Sequence, residues 1–312
     1  MVAKETMNAD RQRCGAASRQ GDAISSEHFF IPERFTALYH TAVYDCLTSE
    51  QALYYNQMTG MYFNEHFIFF ETMLSDHFLS PIVEHLADGE AKNQVLTFMD
   101  EEIEHSRMFA ELNRELAPSW YGGNLFFFIQ VPAVPLAILR FVGKRPERFP
   151  FLIWLGMMQE ERAIFYANQF VLEAADLEPR FVDVHRRHLA DEEDHLDHEL
   201  LLQELYWEPA GRFTQRYNAW ICSWLIFEYF TAPRRGGIRL FDQLITRYPE
   251  LKKHRKTVID AYATLNRSSE YMARHYGPDA ISRTLTRARA YRALAPLVKR
   301  IELLWSPQPV AP

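Results

Sequence analysis

The stretches Glu102-Ile103-Glu104-His105 and Glu192-Glu193-Asp194-His195 decide the fold, because both carry the pattern Glu-x-x-His. Side chains three residues apart lie about 60° apart on a helix, so this glutamate and histidine can bind one metal ion. A carboxylate beside an imidazole suits iron or manganese better than a thiolate-preferring metal. Charged helices also produce this pattern by chance, so one copy alone would indicate little.

The spacing to two further glutamates strengthens the interpretation. Glu71 precedes Glu102 by the same interval as Glu161 precedes Glu192, so the pattern Glu-x30-Glu-x-x-His occurs twice with an offset of 90. A four-helix bundle that holds two metal ions takes one glutamate from each of two helices and Glu-x-x-His from each of the others. The sequence therefore predicts an all-α protein with a ferritin-like four-helix bundle core and additional N- and C-terminal helices. The predicted ligands are Glu71, Glu102, His105, Glu161, Glu192 and His195.

Two other glutamates, Glu65 and Glu160, compete for the single-glutamate positions. The matched offset favours Glu71 and Glu161. Glu71 also follows the apolar run Phe67-Ile68-Phe69-Phe70, where a carboxylate is costly to bury without a cation. Glu160 is interpreted as a solvated neighbour. The four chosen glutamates would balance two divalent ions and leave a neutral cluster in the core.

A seventh ligand is predicted at His188. It precedes Glu192 by four residues and His195 by seven, so the three share one helix face. Neighbouring His185 and His198 show that this segment is rich in histidine, and His188 alone would more simply be a structural residue. Because it is in register with the other ligands, we expect it to bind metal.

Residues around the ligands are weaker candidates. Asp100 and Asp191 are candidate partners for the second ring nitrogens of the ligand histidines, although solvated acids are an equal alternative. Side chains at helical spacing from Glu71 and Glu161 could line an apolar substrate pocket, or simply form the bundle core. These pocket candidates are Phe67, Leu74, Met157 and Phe165.

Composition excludes several classes of protein. The formal net charge of −7 argues against broad binding to nucleic acid or to an anionic membrane. The three cysteines are not closely spaced, which excludes a thiolate zinc site or a disulfide framework and predicts a reducing cytoplasm. Residues 121–139 carry no charge, but Pro132 and Pro135 interrupt them, so a connector is favoured over a membrane span.

Proline and glycine mark the ends of the predicted helices. Helices are expected over residues 32–47, 61–86, 90–116, 151–175, 179–207, 212–231, 249–276 and 278–305. Residues 28–305 are predicted to form a single domain. Residues 1–27 are predicted to be a flexible N-terminal tail, and the proline-rich residues 306–312 a loose C-terminal tail.

The ligand set, above all His188-x-x-x-Glu192-x-x-His195, resembles that of the di-iron arylamine N-oxygenases, typified by p-aminobenzoate N-oxygenase. The resemblance spans residues 71–195, and the extra histidine is its specific part, since ferritins, fatty acyl desaturases and the ribonucleotide reductase small subunit generally lack it. It implies a cytoplasmic homodimer of secondary metabolism with two iron ions. O2, bound as a peroxo species, would convert an amine nitrogen to a hydroxylamine, nitroso or nitro group.

The same resemblance implies the partners of the reaction. The substrate would be a small amine, either an arylamine or one derived from an amino acid. An external donor, such as a ferredoxin, a reductase or a reduced cofactor, would supply electrons. Manganese stays open as an alternative to iron.

Two other functions fit the six-ligand pattern. A di-iron desaturase or C–H hydroxylase of an acyl substrate would yield alkenes or alcohols instead of oxidised nitrogen. A non-enzymatic, ferritin-like iron-binding protein would assemble into a large cage, which fits poorly with the apolar connector and the extra C-terminal helices. The arginines of the last predicted helix could contact an acidic reductase or carrier protein, although an exposed amphipathic face is the simpler interpretation.

Overall fold

The computed structural model describes residues 24–130, 133–229 and 233–305. Over these ranges the chain is helical apart from connecting turns and one isolated bridge between Phe29 and Leu177, so the all-α prediction is confirmed. The α-helices are α1 Ser49–Leu74, α2 Ser80–His85, α3 Glu90–Leu116, α4 Pro118–Tyr121, α5 Ala133–Gly143, α6 Phe151–Leu172, α7 Pro179–Leu202, α8 Arg212–Tyr229, α9 Arg234–Arg247, α10 Arg255–Thr264, α11 Ser269–Tyr276, α12 Ser282–Arg289 and α13 Ala295–Trp305. Single π-helical turns, Ser75–Leu79 and Gln203–Trp207, follow α1 and α7.

Four long helices form the core, as the ligand spacing predicted. α1 packs along α3, α6 packs along α7, and α3 also packs against α7. The ring of Phe63 on α1 lies 5.2 Å from that of Tyr166 on α6, which closes the bundle on its fourth side. α8 and α12 pack on α6, and α9 packs on α1.

The start of α1 was missed by the sequence prediction, which began this helix at residue 61. A capping box begins it at Ser49: the Thr48 side chain accepts from the Gln51 backbone, and the Gln51 side chain accepts from the Thr48 backbone. The pair satisfies two N–H groups that would otherwise have no partner. α7 begins as expected, with Pro179 in its first turn.

The helix predicted over residues 32–47 is wrong. This segment forms three short 3-10 turns, separated by extended residues at Thr36 and Thr41. The Thr36 hydroxyl donates to the Glu33 carbonyl and the Thr41 hydroxyl to the Leu38 carbonyl. Such local hydrogen bonds compete with the backbone hydrogen bonds of a continuous α-helix.

The C-terminal third is more broken than predicted. Residues 249–276 divide into a 3-10 turn, α10, a second 3-10 turn and α11, because Ser268 accepts from the Tyr271 N–H and starts a new helix. Residues 278–305 divide into α12 and α13. α9 was not predicted, and α5 occupies part of the predicted connector. The expected helix end at residue 231 lies outside the described residues.

A buried carboxylate fixes the connector between α4 and α5. Glu65 accepts hydrogen bonds from the Tyr121 hydroxyl at 2.8 Å and from three consecutive backbone N–H groups, those of Phe127, Phe128 and Ile129, at 2.6–3.0 Å. Glu65, a competitor for a ligand position, therefore holds the connector on α1. In the described part of the chain, no helix is long and apolar enough to cross a membrane.

Most of the two predicted tails, residues 1–23 and 306–312, lies outside the described residues. Residues 24–27 are described, and there the Ser25 N–H donates to the Leu116 carbonyl at 2.8 Å while the Ser26 hydroxyl donates to Glu178. The predicted domain limits stay a prediction.

Candidate metal centre

Each core helix brings ligand-type side chains to one buried point in the bundle. Three overlapping groups of side chains place their ligand atoms within 4.8 Å of one another: Glu71, His105 and His188; Glu102, His105 and His195; Glu160, Glu192 and His195. None of these seven residues is more than 2% exposed. Glu71 comes from α1, Glu160 from α6, and the Glu-x-x-His pairs from α3 and α7.

Glu192 lies between the groups, with one oxygen facing each side. Its Oε1 is 2.5 Å from His188 Nε2 and 3.9 Å from His105 Nδ1, whereas its Oε2 is 3.6 Å from His195 Nδ1. His188 Nε2 also lies 3.2 Å from Glu71 Oε1. A carboxylate in this position can bridge two ions, one on each side.

Many of these buried atoms lack a hydrogen-bond partner among the described residues. They include both oxygens of Glu102 and Glu192, both ring nitrogens of His188 and His195, and Nδ1 of His105. Leaving a buried polar atom unpaired costs about 1–3 kcal/mol, so the fold is expected to bind something here. Four glutamates and three imidazoles match the charge and ligand number of two divalent cations. The residues present therefore fit a di-metal centre.

On α6, the structure places Glu160 in the cluster, whereas the residue spacing pointed to Glu161. Glu160 Oε2 lies 3.8 Å from His195 Nδ1, and Glu160 is 2% exposed, so its interpretation as a solvated neighbour is wrong. Glu161 instead accepts from the backbone N–H groups of Arg283, at 2.6 Å, and Thr284, at 2.9 Å. It thereby satisfies free N–H groups in the first turn of α12. The geometry on α6 therefore favours Glu160 over Glu161 as the residue that could hold a metal ion.

The outer ring nitrogens of two histidines contact acids near the surface. His105 Nε2 lies 3.2 Å from Asp191, whose side chain is 51% exposed, and His195 Nε2 lies 3.4 Å from Glu101, which is 35% exposed. Such contacts fix ring orientation. The contact expected of Asp191 is present. Asp100 points to solvent, and its neighbour Glu101 occupies the place expected for it.

Burial shifts the protonation of the cluster. It raises the pKa of Glu102 to about 8, with the charge of Glu160 as the second cause, and raises the pKa of Glu71 and Glu192 as well. Burial and the neighbouring His188 lower the pKa of His105 to about 4. The carboxyl groups of Glu71, Glu102 and Glu192 therefore tend to hold protons until a cation displaces them, whereas, against the effect of burial, hydrogen bonds from Glu192 and His195 lower the pKa of Glu160.

A cavity of about 240 Å³ reaches the cluster from the side of α1 and α6. Glu71 and Glu160 line it, together with aromatic side chains from both helices. Arg162 also lines it: its guanidinium donates to the Tyr166 hydroxyl at 3.0 Å and lies 5.1 Å from the centre of the Tyr276 ring. The cavity thus combines apolar walls with one cationic group.

The predicted pocket residues are distributed unevenly. Phe67 lines the cavity. Leu74 and Met157 are buried in the bundle core, and Phe165 packs against Tyr166 at 5.7 Å between ring centres; these three do not line it. The alternative interpretation of core packing therefore describes them better.

Sequence reasoning missed a second buried acid on α7. Glu199 is 1% exposed, and a Cβ at Gly156 on the facing helix would collide with its Oε1, so glycine leaves the space for this carboxyl group. Burial, and then the charge of Glu160, raise the pKa of Glu199 well above its usual value. Its position four residues after His195 was the available signal, but exposed acids follow the same spacing.

The fold and the cluster together define a ferritin-like protein built to hold two metal ions. A family model described as P-aminobenzoate N-oxygenase AurF matches residues 19–272, which include the whole cluster and most of the chain. The chain belongs to this family of di-iron N-oxygenases, and the resemblance seen in its ligand pattern is confirmed. No curated protein and no solved structure matches the chain.

Proposed function

We propose that this protein is a di-iron N-oxygenase that uses O2 to oxidise the nitrogen of an aromatic amine to a hydroxylamine or beyond. The observation that carries the proposal is the buried set of four glutamates and three histidines with a cavity reaching two of the glutamates. The proposed ligands are Glu71, Glu102, His105, Glu160, His188, Glu192 and His195. Iron suits both this oxygen- and nitrogen-rich ligand set and the chemistry of O2.

The side chains around the centre would control which atom is oxidised. Bound iron would supply electrons to O2 and transfer one of its oxygen atoms. The overall reaction RNH2 + O2 + 2 e⁻ + 2 H⁺ gives RNHOH and water, with both electrons from an external reductant. Phe63, Phe67 and Phe70 line the cavity and exclude water, which favours an uncharged amine with its lone pair free.

Arg162 supports a substrate that carries a carboxylate. The Arg162 guanidinium, partly buried in the wall of the cavity, is best matched by an anion that accepts charge-assisted hydrogen bonds. The amine would lie near Glu71 and Glu160, and the carboxylate near Arg162 and the Tyr166 hydroxyl. p-Aminobenzoate carries an amine at one end of its aromatic ring and a carboxylate at the other. The description of the matching family names this compound.

We also infer a homodimer that forms through an exposed apolar surface on α5 and α8. The Phe149 ring joins its two halves, lying 6.3 Å from Phe141 and 6.5 Å from Tyr217. A contiguous patch of this kind marks an interaction site more often than a free surface. Its exposed side chains are Val134, Ile138 and Phe141 on α5 and Phe213, Tyr217, Trp220 and Trp224 on α8.

Trp220, 68% exposed, provides the test of the dimer. We expect Trp220→Asp to convert a dimer to a monomer in light scattering, because a charge at the centre of an apolar interface is costly to desolvate. Leu172→Asp is the control, since Leu172 is 77% exposed on α6 outside this surface. A wild-type monomer would contradict the inference, and a large cage would favour an iron store.

The experiment for the activity starts from metal-free protein loaded anaerobically with Fe(II). We expect two irons per chain, O2 consumption on mixing, and oxidised nitrogen in p-aminobenzoate by mass spectrometry. Glu160→Ala should lose iron and product, whereas Glu161→Ala should keep two irons. Alkenes or alcohols from acyl substrates, with no oxidised amine, would favour the desaturase or hydroxylase alternative. Failure to bind iron would overturn the proposal.

A further inference from the structure

On the face formed by α3 and α7, a single carboxylate side chain separates each of two candidate ligand histidines from solvent. Asp191 contacts the ligand His105 and is 51% exposed, and Glu101 contacts the ligand His195 and is 35% exposed. An electron donor docked here would be separated from each metal site by one carboxylate and one imidazole. We call this surface, made of Asp100, Glu101, Ile103, Glu104 and Asp191, the α3–α7 face.

The opposite side of the cluster is unsuited to a protein donor. There the approach to Glu71 and Glu160 is the cavity of about 240 Å³, which the proposed substrate would fill. The oxygenation requires substrate and two electrons at the same centre. A separate entrance for electrons therefore agrees with the geometry.

The α3–α7 face is acidic. Asp100 and Glu104 are exposed on the same helix as Glu101, and Ile103 between them in sequence is 51% exposed.

The arginines at the edge of this face are already paired. Arg107 binds Glu104 and, at 2.7 Å, Glu111, and Arg187 lies 3.3 Å from Asp183. Among the described residues, the acids of this region therefore outnumber its arginines, and the surface keeps a negative potential.

The basic C-terminal helices are less suited to docking. Arg287 lies 3.3 Å from Glu208, and Arg289 lies 2.8 Å from Glu302. These pairs neutralise the charges of Arg287 and Arg289. They also lie away from the two acids that contact the ligand histidines.

We propose that the α3–α7 face is the docking surface for an electron-transfer protein with a basic contact surface. The inference rests on the proposed function. The donor is oxidised by two electrons in total, each metal ion is reduced by one, and no atom is transferred. A donor with an acidic contact surface would be repelled by this face.

Two electron-transfer proteins of opposite charge test the proposal. Iron-loaded protein, reduced anaerobically, is mixed with oxidised cytochrome c, which is basic, or with oxidised cytochrome b5, which is acidic. We expect faster electron transfer to cytochrome c by at least about tenfold at low ionic strength. Because salt screens the attraction, the advantage should shrink at about 0.5 M salt. Rates that are equal, or independent of salt, would overturn the proposal.

A matched pair of variants separates this face from the net charge of −7. Asp100→Lys and Asp260→Lys change the charge equally at exposed positions, but Asp260 lies on α10, away from the face. We expect Asp100→Lys to slow electron transfer to cytochrome c about threefold or more and Asp260→Lys to leave it within about 1.5-fold. Equal slowing by both would show that only net charge matters and would contradict the proposal.

Binding of cytochrome c to the metal-free protein gives a readout that does not depend on iron chemistry. We expect Asp100→Lys to weaken this binding more than Asp260→Lys in calorimetry at low salt. If the protein bound no iron but the two variants still differed in binding cytochrome c, the proposed function would be contradicted and the docking proposal would be supported. Iron-loaded protein that consumes O2 but shows no difference between the variants would overturn the docking face alone.

Discussion

The two sides of the metal cluster are built from opposite chemistry. On the side of α1 and α6, an aromatic cavity lined by one partly buried arginine, Arg162, reaches Glu71 and Glu160. On the side of α3 and α7, exposed acids contact the outer nitrogens of His105 and His195. Under the proposed function, this difference gives the organic substrate and the electrons separate routes to the same centre.

The largest effect is expected from the loss of Glu192, which lies between the two groups of ligand side chains. Glu192→Ala removes the carboxylate whose two oxygens face the two groups of ligands. We expect iron content to fall from two per chain to less than one and activity to fall at least about a thousandfold. Iron analysis and product formation check this. Retention of two tightly bound irons would show that Glu192 does not bridge the centre.

The next largest effect concerns the cavity side. Arg162→Gln should raise the KM for p-aminobenzoate about 30- to 100-fold, because a charge-assisted hydrogen bond contributes about 1.5–3 kcal/mol. Aniline lacks the carboxylate and serves as the matched control, so its oxidation should change less than threefold. An equal loss with both amines would mean that Arg162 only maintains the shape of the cavity.

A smaller effect is expected on the acidic side. Asp191→Asn keeps the size of the side chain but removes the charge beside His105 Nε2. We expect about a tenfold or greater loss of metal affinity, as for other acids that orient ligand histidines. Asp100→Asn, which alters an exposed neighbour, should leave the affinity unchanged in the same titration. Identical metal affinities for the two variants would show that Asp191 does not orient His105 for metal binding.

The pH dependence should be the mildest effect. Burial raises the pKa of Glu102 from 4.5 to about 8, so below pH 8 a cation must displace its proton. The part of the metal affinity that depends on Glu102 should rise with pH up to about 8, by about tenfold per unit, and then level off. Calorimetry in buffers of different ionisation enthalpy would count the released protons.

The same raised pKa affects the metal-free fold. A group that binds its proton more tightly when folded contributes stability that is full below pH 4.5 and is lost as the pH rises through about 8. Metal-loaded protein has no such proton on Glu102, so its thermal midpoint should lack this contribution. A metal affinity independent of pH would contradict both expectations.

Local patterns were sufficient to predict the bundle and most of its cluster. The helical spacing of α3 and α7, and the equal intervals from Glu71 to Glu102 and from Glu161 to Glu192, predicted the residues of α1, α3 and α7 that the structure brings together. The choice between Glu160 and Glu161 depended on α12, a distant segment whose backbone N–H groups bind Glu161. Glu160 and Glu161 lie in the middle of α6 about 100° apart, and both are buried, so the hydrophobic periodicity of this helix does not choose between them.

Long-range contacts also explain the other misses. Arg162 follows Glu161 in an ordinary charged run, and only the packing of Tyr166 and Tyr276 around it reveals a cavity wall. The turns over residues 32–47 depend on which hydroxyl groups bond to nearby carbonyls, and propensity does not encode that choice. Burial of Glu65 likewise follows from a connector that is distant from it in the chain.

Glu65 has a consequence for how the connector can vary in evolution. It binds Phe127, Phe128 and Ile129 through their main-chain N–H groups, so those hydrogen bonds place no demand on the side chains themselves. Replacement of these residues by others of similar size should preserve the anchorage, whereas proline at any of the three would delete a donor. These main-chain hydrogen bonds thus fix the path of the segment across the bundle, and only the packing of its side chains, such as buried Phe128, restricts its composition.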